Sequence, residues 1–290
     1  DFARWIDATA GRTRLCNDRD TVAWNIDKHY LADLEQRGVP VVPSRFIERG
    51  STMPLGEVLA ASGWDEAVVK PCVSGAARHT YRVNAASAGR IDAIMRPLLA
   101  SEAFLLQPFL PDVVATGEDT LVVIDGRVTH ALRKRAKPGD FRVQDDHGGT
   151  VHDCRPSTAQ MELAEVAMAA CPRRPAYGRV DMVRDGAGRH VVMELELVEP
   201  ELWLRRYPPA AAALAEHRVV GTLAGEPRYR HDHARQFPRP RALVEGGGTR
   251  IAEHGVALVR VPRDVVEVGV EGFYRAVTRG DGRVGVGGGR

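Results

Sequence analysis

Tyr177-Gly178-Arg179-Val180-Asp181-Met182-Val183-Arg184 and His190-Val191-Val192-Met193-Glu194-Leu195-Glu196-Leu197 flank the short stretch Asp185-Gly186-Ala187-Gly188-Arg189. Both runs alternate, and Asp-Gly between them marks a turn, so they form an antiparallel hairpin. With residues 185–188 as the loop, Arg184 lies opposite Arg189, Asp181 opposite Val192 and Arg179 opposite Glu194. Opposed residues share a face, as do residues two apart. Arg179, Asp181, Glu194 and Glu196 therefore project to one side. Val180, Met182, Val191, Met193, Leu195 and Leu197 make the other, apolar side. Three carboxylates on one face repel unless cations sit among them. A hard divalent ion, Mg²⁺ in particular, accounts for the pattern; so does a solvated, salt-bridged face.

Working outward, residues 120–132 form another hairpin around Asp125-Gly126. Residues 1–10 read as an amphipathic helix carrying Phe2, Trp5 and Ile6, and residues 20–24 as a short turn. Asn25-Ile26-Asp27 offers caps for a helix over 28–36, ended by Gly38. Strands are expected at 41–47, 67–70, 79–83 and 104–106, and helices at 54–61, 87–100, 158–170 and 210–217. Residues 73–77 are a small-residue loop, and residues 137–153 read as a long irregular one. The order is not a βαβ series; it predicts an α+β protein with helices on antiparallel sheets.

The 290 residues are 27% charged and 44% hydrophobic, which excludes a mainly disordered chain. A formal charge of +2 gives no electrostatic case for nucleic acid or membrane as the main partner. No apolar run is long enough to span a bilayer. Beyond residue 219 Arg, Gly and Pro dominate. The acids Glu253, Asp264, Glu267 and Glu271 interrupt the basic residues there, so this extension does not read as a nucleic-acid arm. Cys16, Cys72, Cys154 and Cys171 form no Cys-x-x-Cys pair and suit separate thiols in a reducing cytoplasm. His152 beside Cys154 does not by itself make a zinc site. The chain starts at Asp1 already patterned, which leads us to expect a segment upstream.

Of the 40 basic residues only four are lysines, Lys28, Lys70, Lys134 and Lys137; the other 36 are arginines. In so Arg-biased a chain, the retained lysines mark places for a compact ammonium on a thin stem. Lys70 ends an apolar run just before Ser74-Gly75-Ala76-Ala77, where backbone N–H groups and the lysine suit phosphate oxygens.

In chain order, these segments resemble the ATP-grasp ligase superfamily of the glutathione-synthetase type, and within it the cycloserine-ligase-like proteins, over residues 20–217. Asn25-Ile26-Asp27-Lys28 resembles the family's first lysine segment, and Val68-Val69-Lys70-Pro71 its second. Leu106-Gln107-Pro108-Phe109-Leu110-Pro111 is similar to the hinge that holds adenine. Gly117-Glu118 resembles the ribose-contacting acid, and Ala131-Leu132-Arg133 the strand arginine facing the γ-phosphate. Phe141-Arg142 with His147-Gly148-Gly149 resembles the family's Phe-Arg…Gly-Gly loop. Arg179-Val180-Asp181 followed by Glu194-Leu195-Glu196 is similar to its metal hairpin. Glu196 stands where the family usually has Asn, and the loop after Lys70 lacks the usual run of glycines.

The resemblance implies two α+β lobes of antiparallel sheet clamping ATP. It divides the chain into 1–105 (exit helices of an N-terminal domain that the chain lacks, then the first lobe), 106–218 (hinge and second lobe) and 219–290 (extension). It implies a carbon–nitrogen ligase that forms ADP and phosphate through an acylphosphate of a small amino-acid-like carboxylate, joining it to an amine or closing a ring. Asp181, Glu194 and Glu196 would hold two Mg²⁺ ions. ATP would be bound by Lys28, Lys70, Ser74, Gly75, Gln107, Phe109, Leu110, Glu118 and Arg133, with Arg179 and Arg142 as catalytic residues and the 137–153 loop as a lid. A homodimer is compatible with this reading. The alternative is a nucleotide-binding relic of the same fold that turns over nothing.

Overall fold

The computed structural model describes residues 2–75, 77–144 and 147–224, with two further short strands at 277–278 and 284–285. Three short helices come first: α1 (Phe2–Ala10), α2 (Arg19–Asn25) and α3 (Tyr30–Gln36). A four-stranded sheet follows, built from β1 (Arg45–Ile47), β2 (Glu66–Pro71), β3 (Tyr81–Asn84) and β4 (Phe104–Pro108) in the order β1-β4-β2-β3. Helices α4 (Leu55–Ser62) and α5 (Ala88–Leu98) pack on it. Gly63 ends α4 with φ 71°, a left-handed cap that glycine adopts without a Cβ penalty.

The short helix α6 (Asp112–Ala115) leads into a five-stranded antiparallel sheet. Its strands are β5 (Glu118–Ile124), β6 (Arg127–Arg135), β7 (Thr150–Cys154), β8 (Tyr177–Arg184) and β9 (His190–Glu196), in the order β7-β6-β5-β8-β9. Helix α7 (Thr158–Ala169) covers one face and α8 (Pro208–Ala224) the other. At Gly178 in β8 any Cβ would meet Leu197 Cδ2 at 2.5 Å and Met168 Sδ at 2.8 Å, so α7 approaches the sheet this closely only over glycine. Strands β10 (Val277–Thr278) and β11 (Val284–Gly285) pair antiparallel. The rest of the extension beyond residue 224 lies outside the described residues. Among those described, no helix is long and apolar enough to cross a membrane.

Two antiparallel sheets with helices on their faces are the α+β layers expected. Several local readings need correction. The hairpin at Asp125-Gly126 is a tight turn with φ 50° and 72°, as its sequence demands. The hairpin after Arg184 differs: Asp185 N–H donates to Arg189 O at 2.8 Å, and Gly188, not Gly186, takes the left-handed conformation (φ 78°). Arg184 therefore pairs with His190 instead of Arg189. A bulge after Asp181 shifts the ladder once more, so Asp181 lies opposite Glu194 and Arg179 opposite Glu196. Each slip moves side chains to the other face, and two slips restore it. The acids thus share a face as expected. Between the slips the faces are exchanged. Val192 enters the main core, while Val191 and Met193 pack with Val42, Val143 and Val183.

Residues 150–153, expected to be part of a long loop, belong to β7, which extends the sheet beside β6. The strand expected over 41–47 is regular only at Arg45–Ile47, although Val41 bridges to Val192 in parallel. Asn25 is not a cap but the last residue of α2, and Tyr30 begins α3.

His130 is buried in β6, donates from Nε2 to Leu202 O at 2.9 Å and stacks on Tyr207. Burial holds its pKa below the ordinary imidazole value. The unfolded chain therefore takes up a proton that the folded one resists. This stability is present above about pH 6.5 and is lost as pH falls through the folded value. His130→Gln should make the melting temperature less sensitive to acidification between about pH 7 and 5. Parallel melting curves for both proteins over that range would exclude this.

Candidate active site

The site grows from strands β8 and β9. Helices α2 and α3 fix the outer strand. Asn25 Nδ2 donates to Leu195 O at 2.9 Å, its Oδ1 accepts from Leu197 N–H at 2.8 Å, and Tyr30 Oη accepts from Leu195 N–H at 3.0 Å. Asn25 thus satisfies the backbone groups of a sheet edge as a further strand would. Glu194 and Glu196, on either side of Leu195, are aimed by this lock. Asn17 does the same one step along, donating to Tyr177 O and Leu197 O at 2.9 and 2.8 Å.

One carboxylate oxygen each from Asp181, Glu194 and Glu196 lie within 4.8 Å of one another. Cations interleave them. Arg179 donates to both oxygens of Asp181 at 3.0 and 2.9 Å and pairs with Glu196; its guanidinium lies 5.4 Å from the Trp203 ring centroid. Lys134 donates to Asp181 at 2.9 Å and pairs with Glu118, and Thr120 Oγ1 donates to Asp181 at 2.8 Å. Lys28 Nζ lies 3.2 Å from Glu194 and donates to Ser74 O at 2.9 Å.

The electrostatics follow from this packing. Burial opposes ionisation of Asp181, but Arg179 and Lys134 outweigh it and hold its carboxyl well below the usual range. Burial opposes Glu194 too, but Lys28 and Lys70 carry it down to about 2. At Glu118 burial wins over Lys134 and pushes the carboxyl up to about 7. Burial likewise raises Glu196 against the pull of Arg179. Lys70 makes no hydrogen bond or ion pair to a described residue, and burial lowers its pKa despite the pull of Glu194.

Of the sequence-derived candidates, Arg179, Asp181, Glu194, Glu196 and Lys28 meet here, and Lys70 lies within their field. Glu118, expected at a ribose, is instead buried beneath the cluster on Lys134. Arg133, expected to face phosphate, lies on the opposite face. It donates to Asp119 at 2.6 and 2.9 Å, and Gln160 of α7 binds the same carboxylate. A bulge between Val122 and Val123 shifts β6 by one residue, setting Lys134 opposite Glu118 and Arg133 opposite Asp119. Lys134 is the site residue that sequence reasoning missed. Its rarity as a lysine is the signal that marks it.

The remaining candidates lie around this cluster. Gln107 is buried in β4 and donates to Ser44 Oγ at 3.1 Å. Phe109 carries the Arg82 guanidinium 3.7 Å above its ring and meets Phe141 edge-on at 6.2 Å. Leu110 packs with Val42, Val113 and Val143. Ser74 and Gly75 form the turn after β2, where Arg78 N–H donates to Gly75 O at 3.1 Å. Among the described residues, Arg142 is held by Asp140 in its own loop, at 2.8 Å, and not by the cluster.

No family model matches the chain. It is 34% identical over 222 residues to the cycloserine biosynthesis protein DcsG of Streptomyces lavendulae, covering 70% of this chain and 71% of that protein. The crystal structure of D-cycloserine synthetase DcsG superposes with a TM-score of 0.67 and 32% identity, over 75% of this chain and 77% of that one. D-alanine–D-alanine ligase from Bacillus anthracis shares the fold, with a TM-score of 0.55 and 17% identity over 71% and 70% of the two chains. One in three residues shared across more than two thirds of a relative, with a solved structure that superposes over three quarters of this chain, decides the lineage: the chain belongs to the ATP-grasp ligase family.

Proposed function

We propose that this chain is an ATP-dependent carbon–nitrogen ligase, which activates an amino-acid-like carboxylate as an acylphosphate and releases ADP and phosphate as an amine attacks. The observation that carries this reading is the set of three carboxylates, Asp181, Glu194 and Glu196, bordered by Lys28 and Lys70. Three oxygen donors within 4.8 Å of one another suit a hard divalent ion. These residues would hold Mg²⁺, which when bound neutralises phosphate charge.

The protein's own groups do the rest. Lys28 and Lys70 lie at the junction of the two sheets, where ammonium groups neutralise α- and β-phosphates. Lys70, without a partner among the described residues, is available to an incoming anion. Arg179 stabilises oxyanion charge from the floor of the site. Phe109 and Leu110 supply the apolar flank for adenine, with Gln107 at its polar edge. Lys134, buried beneath the acids, holds Asp181 in place for the ion. The similarity to D-cycloserine synthetase makes ring closure within one molecule the first acceptor chemistry to examine.

Magnesium-dependent ADP release, screened over amino acids and their D-enantiomers and side-chain amides, tests the reading. We expect release that requires both Mg²⁺ and a carboxylate co-substrate. ATP binding without release under every condition would favour the non-catalytic alternative.

An acylphosphate hydrolyses in water, so the site must close. The segment between β6 and β7 is the closing element in this proposal, shortened by the residues that join β7. Limited proteolysis between residues 136 and 149 should slow several-fold when ATP and Mg²⁺ are added. Equal cleavage rates with and without nucleotide would remove the lid from the mechanism.

A further inference from the structure

A second set of ligating side chains, of different chemistry, converges beside the two phosphate-side lysines. Asp27 and His29 flank Lys28 in the chain, and Cys72 follows Lys70 by two residues. Lys28 N–H donates to Cys72 O at 2.9 Å, which ties the two segments together. A carboxylate oxygen of Asp27, a ring nitrogen of His29 and Sγ of Cys72 all lie within 4.8 Å of one another. His29 Nδ1 is 2.5 Å from Asp27 Oδ1, and Nε2 is 3.2 Å from Glu48 Oε1. The imidazole also stacks on Phe46, with centroids 4.2 Å apart and planes 19° apart. The ring is therefore oriented at both nitrogens and on one face.

We propose that Asp27, His29 and Cys72 form a binding site for a borderline-soft divalent cation of the zinc class, separate from the all-oxygen carboxylate site. Thiolate and imidazole select such ions, whereas the hard Mg²⁺ prefers Asp181, Glu194 and Glu196. Ligands about 2.0–2.3 Å from a shared tetrahedral ion stand about 3.3–3.8 Å apart, inside the 4.8 Å limit of the cluster, and the 2.5 Å Asp27–His29 contact opens as the ion replaces the proton between them. His29 Nδ1 is the ligating atom, and its Nε2–H donates to Glu48, the carboxylate support that metal-bound histidines commonly have. Cys72 is buried and forms the floor, while Asp27 and His29 are half-buried and leave an approach from solvent. On binding, Cys72 releases its thiol proton and His29 the Nδ1 proton it shares with Asp27, both to solvent, and the freed sulfur and nitrogen lone pairs bond to the ion; no electron is transferred. The ion would crosslink the turn carrying Lys28 to the end of the strand carrying Lys70. The site stands on its own geometry and does not depend on the ligase reading.

Cobalt(II) titration of the full chain provides the test, because a thiolate-to-cobalt charge-transfer band reports a cysteine ligand directly. The wild-type chain should develop the band, and zinc should displace it. Cys72→Ser should abolish the band, and Cys154→Ser should leave it intact. His29→Gln should weaken cobalt binding by at least tenfold, and Glu48→Gln by about tenfold. No band in the wild-type chain, or a band that survives in Cys72→Ser, overturns the proposal. If circular dichroism shows that Cys72→Ser does not fold, His29→Gln decides: unchanged cobalt affinity overturns the site.

Discussion

Glu194→Gln should lower magnesium-dependent ADP release by about 10²-fold or more, equivalent to about 2.7 kcal/mol of barrier. The amide keeps the shape of the side chain and removes the charge that Lys28 meets at 3.2 Å. One of three clustered oxygen donors also becomes a weaker ligand. The fold should survive, because Asn25 and Tyr30 hold the backbone of the edge strand on either side of the substituted residue. A melting temperature within a few degrees of wild type would separate loss of chemistry from loss of structure. Near-wild-type ADP release would remove Glu194 from the metal set.

Lys134→Met should destabilise the protein by about 3 kcal/mol or more, the range for breaking one side of a buried ion pair. Lys134 is the charged partner of Glu118 and one of two cations on Asp181. Asp181 keeps Arg179 and the Thr120 hydroxyl, so the larger loss falls on Glu118. Burial already raises Glu118, so in the variant its carboxyl should take up a proton near neutral pH. The double variant Lys134→Met with Glu118→Gln should recover at least half of the lost stability, since it leaves no unpaired buried charge. Urea unfolding midpoints at constant slope measure both effects. A single variant as stable as wild type would mean that the charge network contributes nothing to the fold.

Much of this protein is legible in one dimension because its signals are local. Alternation identified β8 and β9, Asp-Gly placed the turn before Arg127, and Gly63 ended α4. Arg179, Asp181, Glu194 and Glu196 were assigned to one face with the wrong register, and the face held because two one-residue slips preserve parity. Arg133, which the family resemblance set toward phosphate, turns away to Asp119, and its neighbour Lys134 faces the acids. A single bulge lies between the turn and these residues, so every side chain beyond it changes faces.

The sequence by itself determined the α+β class, the antiparallel pairing and the identity of the acidic hairpin. These depend on period-two patterning and turn chemistry within a few residues. Only the tertiary structure decided which groups neutralise the acids. Asn25 reaches across about 170 positions to the edge of β9, Lys134 enters the cluster beneath Asp181, and Lys28 arrives from another segment to face Glu194. Bulges and side chains that complete a distant sheet edge leave no periodic trace, because the energy that selects them comes from burying charge and backbone polar groups only once the chain has folded.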